Sequence, residues 1–203
     1  MIKFLSERTA RYLASDDENA DIEVLAYGYY VIYQQWVVSL VLLLMAIPFG
    51  LFFHVLASLA TSMTLRAHAC GAHANHALVC KIAAFALAFI PSIISVVFAV
   101  SLMPVVVVLL YLFAVALLAK YAPGDTNITK VRDPALRKRM KLKAIVWLTI
   151  FFFVAAVFLQ ARYPAIAFVV MTTAVLTSCF VHPWVYWLFG FDPVTKEARK
   201  QRA

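Results

Sequence analysis

"LVCKIAAFALAFIPSIISVVFAV", residues 78–100, carries one charged side chain, Lys81, in a run that is otherwise almost wholly apolar. A stretch of roughly 18 or more apolar residues is long enough to cross the hydrocarbon of a bilayer as a helix. Pro91 kinks such a helix at most, because neighbouring helices can re-satisfy the carbonyl left without its N–H partner. The whole 203-residue chain has the same character: 65% hydrophobic, 14% charged, mean hydropathy +0.88. Soluble domains are about 45–50% apolar and about 25% charged, so the surplus apolar surface must face lipid. The composition predicts an all-α, polytopic integral membrane protein, one domain over residues 1–203.

Outward from this run, further apolar stretches occupy residues 105–119, 144–159 and 165–188. Residues 24–61 are also nearly continuously apolar, broken by Gln34, Gln35, Pro48 and Gly50. That length exceeds one relaxed span and falls short of the roughly 40 residues two spans need, which predicts two short or partly inserted helices. About six membrane segments in three hairpins are expected. The runs are spread along the chain, so none is expected to be a removable signal peptide. Residues 1–23 place Phe4, Leu5, Tyr12 and Leu13 on one side of a 3.6-residue period, with Lys3, Arg8 and Arg11 among them. This predicts an N-terminal amphipathic helix lying in the membrane interface.

The net charge of +8 reads here as the positive-inside bias of membrane proteins, and no nucleic-acid partner is expected. Residues 120–143 hold Lys120, Lys130, Arg132, Arg137, Lys138, Arg139, Lys141 and Lys143, and the tail "KEARKQRA" is basic again. Both are expected in the cytoplasm, as a basic loop and a basic tail that meet membrane lipid. The uncharged "SLMP" turn then lies outside, and residues 62–80, one span earlier, face the cytoplasm.

Those residues hold "RAHACGAHANHALVC", positions 66–80, which gathers His68, His73, His76, Cys70 and Cys80 from a chain with five histidines and three cysteines. Three readings compete. Small residues and histidines can sit at a membrane interface without chemistry. His and Cys at close spacing are zinc ligands, but the spacing matches no standard finger; a non-catalytic metal-binding scaffold or small transporter is the corresponding function. The third reading is a cysteine nucleophile with a histidine base, since an imidazolium or a helix N-terminus favours the thiolate. His73 and Cys80 supply that pair, and Asn75 is placed to cap the helix carrying Cys80. On a continuous helix positions seven apart are separated by about 10.5 Å along the axis at 1.5 Å per residue. The segment from Gly71 to Asn75 is therefore expected to turn, which Gly71 tolerates. Cys179, in "LTSCFV", reads as a small buried hydrophobe.

Arg66, the Gly71-x-His73 triplet and Cys80, seven residues after the histidine, resemble the signature of the accessory gene regulator B (AgrB) family. "YAPGDTNITKVRDP" after the run ending near residue 119 resembles the family's "YAP" followed by a polar stretch and a basic loop. Two features depart from the pattern: Cys70 stands where many members have glycine, and the lysine run after "YAP" comes late.

The resemblance implies a membrane cysteine endopeptidase with a Cys-His dyad, Cys80 as nucleophile and His73 as its partner. It implies cleavage of an AgrD-type quorum-sensing precursor near its C-terminus, then closure of a thiolactone or lactone ring through an acyl thioester on Cys80. Arg66, Gly71 and Asn75 are expected beside the substrate, with Arg137, Lys138 and Arg139 holding its acidic tail. Neither metal nor other cofactor is implied, a homodimer is, and the bacterial cell membrane is the expected location.

Overall fold

In a computed structural model the chain is described over residues 2–14, 21–71, 77–98, 103–124 and 133–188, and these are helical throughout apart from turns and one isolated strand pairing. They divide into two compact units, residues 1–49 and the remainder.

In the first unit, α1 (Ile2–Leu13) packs along α2 (Ile22–Ala46). The contact is made by small residues, Ser6 and Ala10, while Phe4 and Tyr12 stand 68% and 79% exposed. The apolar residues of the amphipathic period thus point away from α2, as an interfacial helix requires. Thr9 gives its hydroxyl proton to the Leu5 carbonyl (3.0 Å), so Tyr33 of α2 is the donor in the 2.9 Å contact between the two hydroxyls. Asp21 caps α2 by accepting from the Glu23 N–H at 3.0 Å, and a short 3-10 turn, Ile47–Phe49, ends it before Gly50 at φ +67°.

The second unit contains α3 (Phe52–Ala69), α4 (Ala77–Val97), α5 (Pro104–Tyr121), α6 (Pro134–Val154), α7 (Pro164–Cys179) and the short α8 (Pro183–Leu188). The last four helices each begin on a proline, whose missing N–H costs nothing in a first turn. Asp133 adds a side-chain cap to α6, accepting from the Ala135 N–H at 2.9 Å. At its far end α6 runs into one π-helical stretch, Ala155–Leu159.

Four stretches of described helix are long and apolar enough to cross a membrane: Leu25–Phe49, Leu78–Val97, Pro104–Tyr121 and Pro134–Leu159. Their side chains face outward: Ile82, Ile90, Val105, Leu109, Leu142 and Phe153 are all more than half exposed. Between such helices there is no hydrophobic driving force once lipid surrounds them, so close packing and interhelical hydrogen bonds must hold them together. The buried cluster fits that demand, with Ala69, Ala114, Ala144, Ala155 and Ala174 fully buried among Leu65, Leu118, Leu148 and Met171.

Residues 24–61 hold the two helices expected there, but neither is short: the first lies within a candidate span of 25 residues, Leu25–Phe49, and the second continues to Ala69, with Ser58, Thr61 and Ser62 on it buried against the bundle. α7 is central: it packs on α3, α4 and α5, so α4 and α5, expected as a hairpin, lie against α7 more than against each other.

The Pro91 kink is compensated as anticipated. Pro91 offers no N–H to the Leu87 carbonyl four residues earlier, and Ser58 of α3 donates to that carbonyl at 3.1 Å. With its proton spent there, Ser58 accepts from Thr173 of α7 at 3.0 Å. One buried hydroxyl thus ties three helices.

The basic stretch read as a loop over residues 120–143 is helical from Pro134 onward, so Arg137, Lys138, Arg139, Lys141 and Lys143 form the first turns of α6. The apolar run 165–188 also divides, at residues 180–182, into α7 and α8.

Candidate active site

α3 stops abruptly. Cys70 takes φ 55° and ψ −130°, unusual for a residue with a side chain, and its N–H still reaches back to the Arg66 carbonyl at 3.0 Å. Gly71 follows at φ +118°. The chain therefore leaves the helix at Cys70–Gly71, at the start of the segment expected to turn, whose remainder lies outside the described residues.

Two other parts of the chain hold this turn. Residues 122–124 run alongside it: Cys70 pairs with Gly124 in a parallel bridge, and the Gly124 N–H donates to the Ala69 carbonyl at 2.9 Å. A Cβ on Gly124 would collide with the Tyr186 hydroxyl and come within 2.9 Å of the Gly71 Cα, so only glycine fits. On the other side lies the end of α7, whose Phe180 carbonyl oxygen would be 3.1 Å from a Cβ at Gly71.

Arg66 sits one turn before the reversal, at the polar end of α3 and outside the candidate spans. Its guanidinium lies over the Phe180 ring, 5.1 Å from the centroid, a cation–π arrangement. Burial pushes its pKa down, while Cys80 and Tyr186, anionic when ionised, push it up; a guanidinium stays charged in either balance. Cys80 is half-buried in the first turn of α4, which begins at Ala77.

Of the sequence-predicted residues, Arg66, Gly71, Cys80 and Arg137 gather at one end of the second unit. Arg137 donates to the Pro123 carbonyl at 3.1 Å, and Lys141, one turn on, donates to the Ala119 carbonyl at the end of α5 at 2.8 Å. Lys138 and Arg139 are exposed. His73 and Asn75 lie outside the described residues, as does His76. Among the described residues no three His, Cys, Asp or Glu side chains are grouped as metal ligands would be. Cys179 is half-buried in the last turn of α7.

Sequence reasoning missed Phe180, His182 and Tyr186. The His182 ring stands edge-on to Tyr121 at 4.9 Å, and its Nδ1 accepts from the Trp184 N–H at 3.3 Å. The available signal was "HPW" inside what otherwise read as a single apolar run: a residue before proline is biased away from helix.

The family model described as Accessory gene regulator B matches residues 6–182. AgrB-like protein 2 of Clostridium perfringens (strain 13 / Type A) is 26% identical over 157 residues, which cover 75% of this chain and 72% of that protein. An AgrB-like protein of Clostridium perfringens (strain SM101 / Type A) is 25% identical over 157 residues with the same coverage, 75% and 72%. No solved structure matches.

Proposed function

This chain belongs to the accessory gene regulator B family, membrane peptidases that process autoinducing-peptide precursors of the AgrD type, and we propose that it does so through a covalent intermediate on Cys80. The Cys80 thiolate attacks the scissile carbonyl after His73 takes the thiol proton. Collapse of the tetrahedral intermediate breaks the C–N bond, His73 returns the proton to the leaving amine, and the acidic tail departs. The peptide remains as an acyl thioester. An internal thiol of the peptide, or a hydroxyl, then attacks that carbonyl, closes the ring and releases Cys80.

Thioester exchange is nearly balanced in energy, so the site must hold the internal thiol at high effective molarity and exclude water from the intermediate. One observation carries the reading: the family model matches residues 6–182, which hold Arg66, Gly71, His73 and Cys80, and α3 ends there in a turn that Gly71 and Gly124 allow to close. The same end of the unit bears Lys120, Arg137, Lys138, Arg139, Lys141 and Lys143. This concentration supports a cytoplasmic site in a multi-pass protein of the bacterial cell membrane and a basic surface for the acidic tail.

The test is intact-mass analysis of the purified protein incubated with a precursor. A peptide adduct on Cys80 is expected, absent in Cys80→Ala, with cleavage abolished in both Cys80→Ala and His73→Ala. Cys70→Gly, which suits the backbone there, and Cys179→Ala retain cleavage. One equivalent of zinc, lost together with function on chelation, would instead establish the metal-binding scaffold.

A further inference from the structure

α7 ends at Cys179, and after residues 180–182 the chain enters α8, six residues long. At 1.5 Å per residue such a helix measures about 9 Å, far short of hydrocarbon about 30 Å thick. It is nevertheless amphipathic. Trp184, Trp187 and Leu188, at helical spacings of three and four, share one face and are 78%, 73% and 72% exposed. Tyr186, on the opposite face, is 5% exposed, and its hydroxyl is the first atom a Cβ on Gly124 would meet. His182 fixes the start of the helix: its Nδ1 accepts from the Trp184 N–H at 3.3 Å, and its ring stands edge-on to Tyr121 at 4.9 Å. α8 cannot roll its tryptophans inward without breaking the contacts of both His182 and Tyr186.

Two observations say what covers this face. Tyr121 is the last residue of the candidate span Pro104–Tyr121, so its contact with His182 sets α8 at the level where α5 leaves the hydrocarbon. Tryptophan concentrates at that level, where its ring meets acyl chains and its N–H meets headgroups. The surroundings are also basic. The Lys120 ammonium lies 5.2 Å from the centre of the Tyr121 ring, and Lys141 and Arg137 donate to the Ala119 and Pro123 carbonyls. Lys138 and Arg139 on the same turns of α6 are exposed, whereas the Asp133 carboxylate there accepts from the Ala135 N–H. An aromatic face beside exposed cations is complementary to a headgroup layer that carries negative charge.

We propose that α8 is an interfacial anchor: its Trp184–Trp187–Leu188 face seats in the headgroup layer of anionic phospholipid, and Lys120 and Lys138 draw anionic lipids to it. The surface lies outside the peptidase chemistry, and neither a precursor nor its cleavage enters the test.

The experiment uses the full chain in lipid nanodiscs and reads tryptophan fluorescence. The chain has four tryptophans, so Trp36→Phe with Trp147→Phe leaves only the α8 pair. If that variant does not fold, the difference in emission between the wild type and Trp184→Phe with Trp187→Phe isolates the same signal. Phosphatidylcholine brominated near the ester end of its acyl chains should quench this emission more than lipid brominated near the methyl end, and aqueous acrylamide should quench it weakly. A basic residue near an anionic surface is worth roughly 1 kcal/mol, about a fivefold local preference, so brominated phosphatidylglycerol at about a tenth of the lipid should quench as much as brominated phosphatidylcholine at about half. Lys120→Gln with Lys138→Gln should remove most of that advantage and leave the depth profile unchanged. Strong acrylamide quenching without quenching by brominated lipid overturns the proposal, as does equal quenching by the two headgroups. Protection from both quenchers, or lipid quenching that vanishes as the protein-to-lipid ratio rises, overturns it in favour of a protein partner, a second copy included.

Discussion

Replacing Ser58 by alanine should destabilise the bundle because of one proline on another helix. The Leu87 carbonyl lacks its regular partner in α4, the N–H of residue 91, because that residue is proline, and Ser58 donates to it at 3.1 Å while accepting from Thr173 at 3.0 Å. Ser58 is 1% exposed, so water cannot replace it without rearrangement. Interhelical hydrogen bonds in membranes are worth about 0.6 kcal/mol on average and up to about 1.7, and an orphaned buried acceptor costs about 1–3 kcal/mol. Ser58→Ala should therefore cost about 2 kcal/mol. In a Pro91→Ala background the restored N–H of residue 91 serves Leu87, and Ser58→Ala should lose only the Thr173 contact, about 0.6 kcal/mol. The coupling between the two changes is then somewhat over 1 kcal/mol. Reversible unfolding in mixed dodecylmaltoside and SDS micelles, followed by far-UV circular dichroism on all four proteins, measures it as a double-mutant cycle. Effects that add within about 0.3–0.5 kcal/mol, as those of independent sites do, would refute the reasoning.

Two further outcomes follow from the basic start of α6. Lys138→Gln with Arg139→Gln should weaken cleavage of an acidic-tailed precursor, more at low salt where exposed charges reach further, and leave a tail with glutamines in place of its acids nearly unaffected. Arg137→Gln should impair both precursors alike, because its guanidinium holds the Pro123 carbonyl; kinetics on the paired substrates separate the two classes. For orientation, a cysteine at residue 138 should react with a membrane-impermeant maleimide only after the cells are opened, and one at residue 103 in intact cells. The reverse pattern would invert the topology.

Apolarity alone was enough to mark α4, α5 and the apolar part of α6, because lipid-facing helices must be apolar over a length the bilayer dictates. The same rule marked only the first part of α3, the second helix expected within residues 24–61, and missed its length: Ser58, Thr61 and Ser62 meet other helices rather than lipid, and a helix surrounded by protein owes the bilayer no hydropathy. The start of α6 was misjudged because lysine and arginine read as a loop, although Asp133–Pro134 is a helix-start signal and both residues form helix readily.

At the site, the end of a helix near Gly71 and the start of the next one just before Cys80 were legible, because these residues lie close along the chain, where turn and helix geometry can be worked out locally; His73 lies outside the described residues. That residues 122–124, Phe180 and Tyr186 close on the same turn was not legible. Those contacts join residues more than fifty positions apart, and their specificity lies in glycines, which show in a sequence only that a side chain is missing. Which backbone or hydroxyl occupies the space is decided by how α3, α5, α7 and α8 pack.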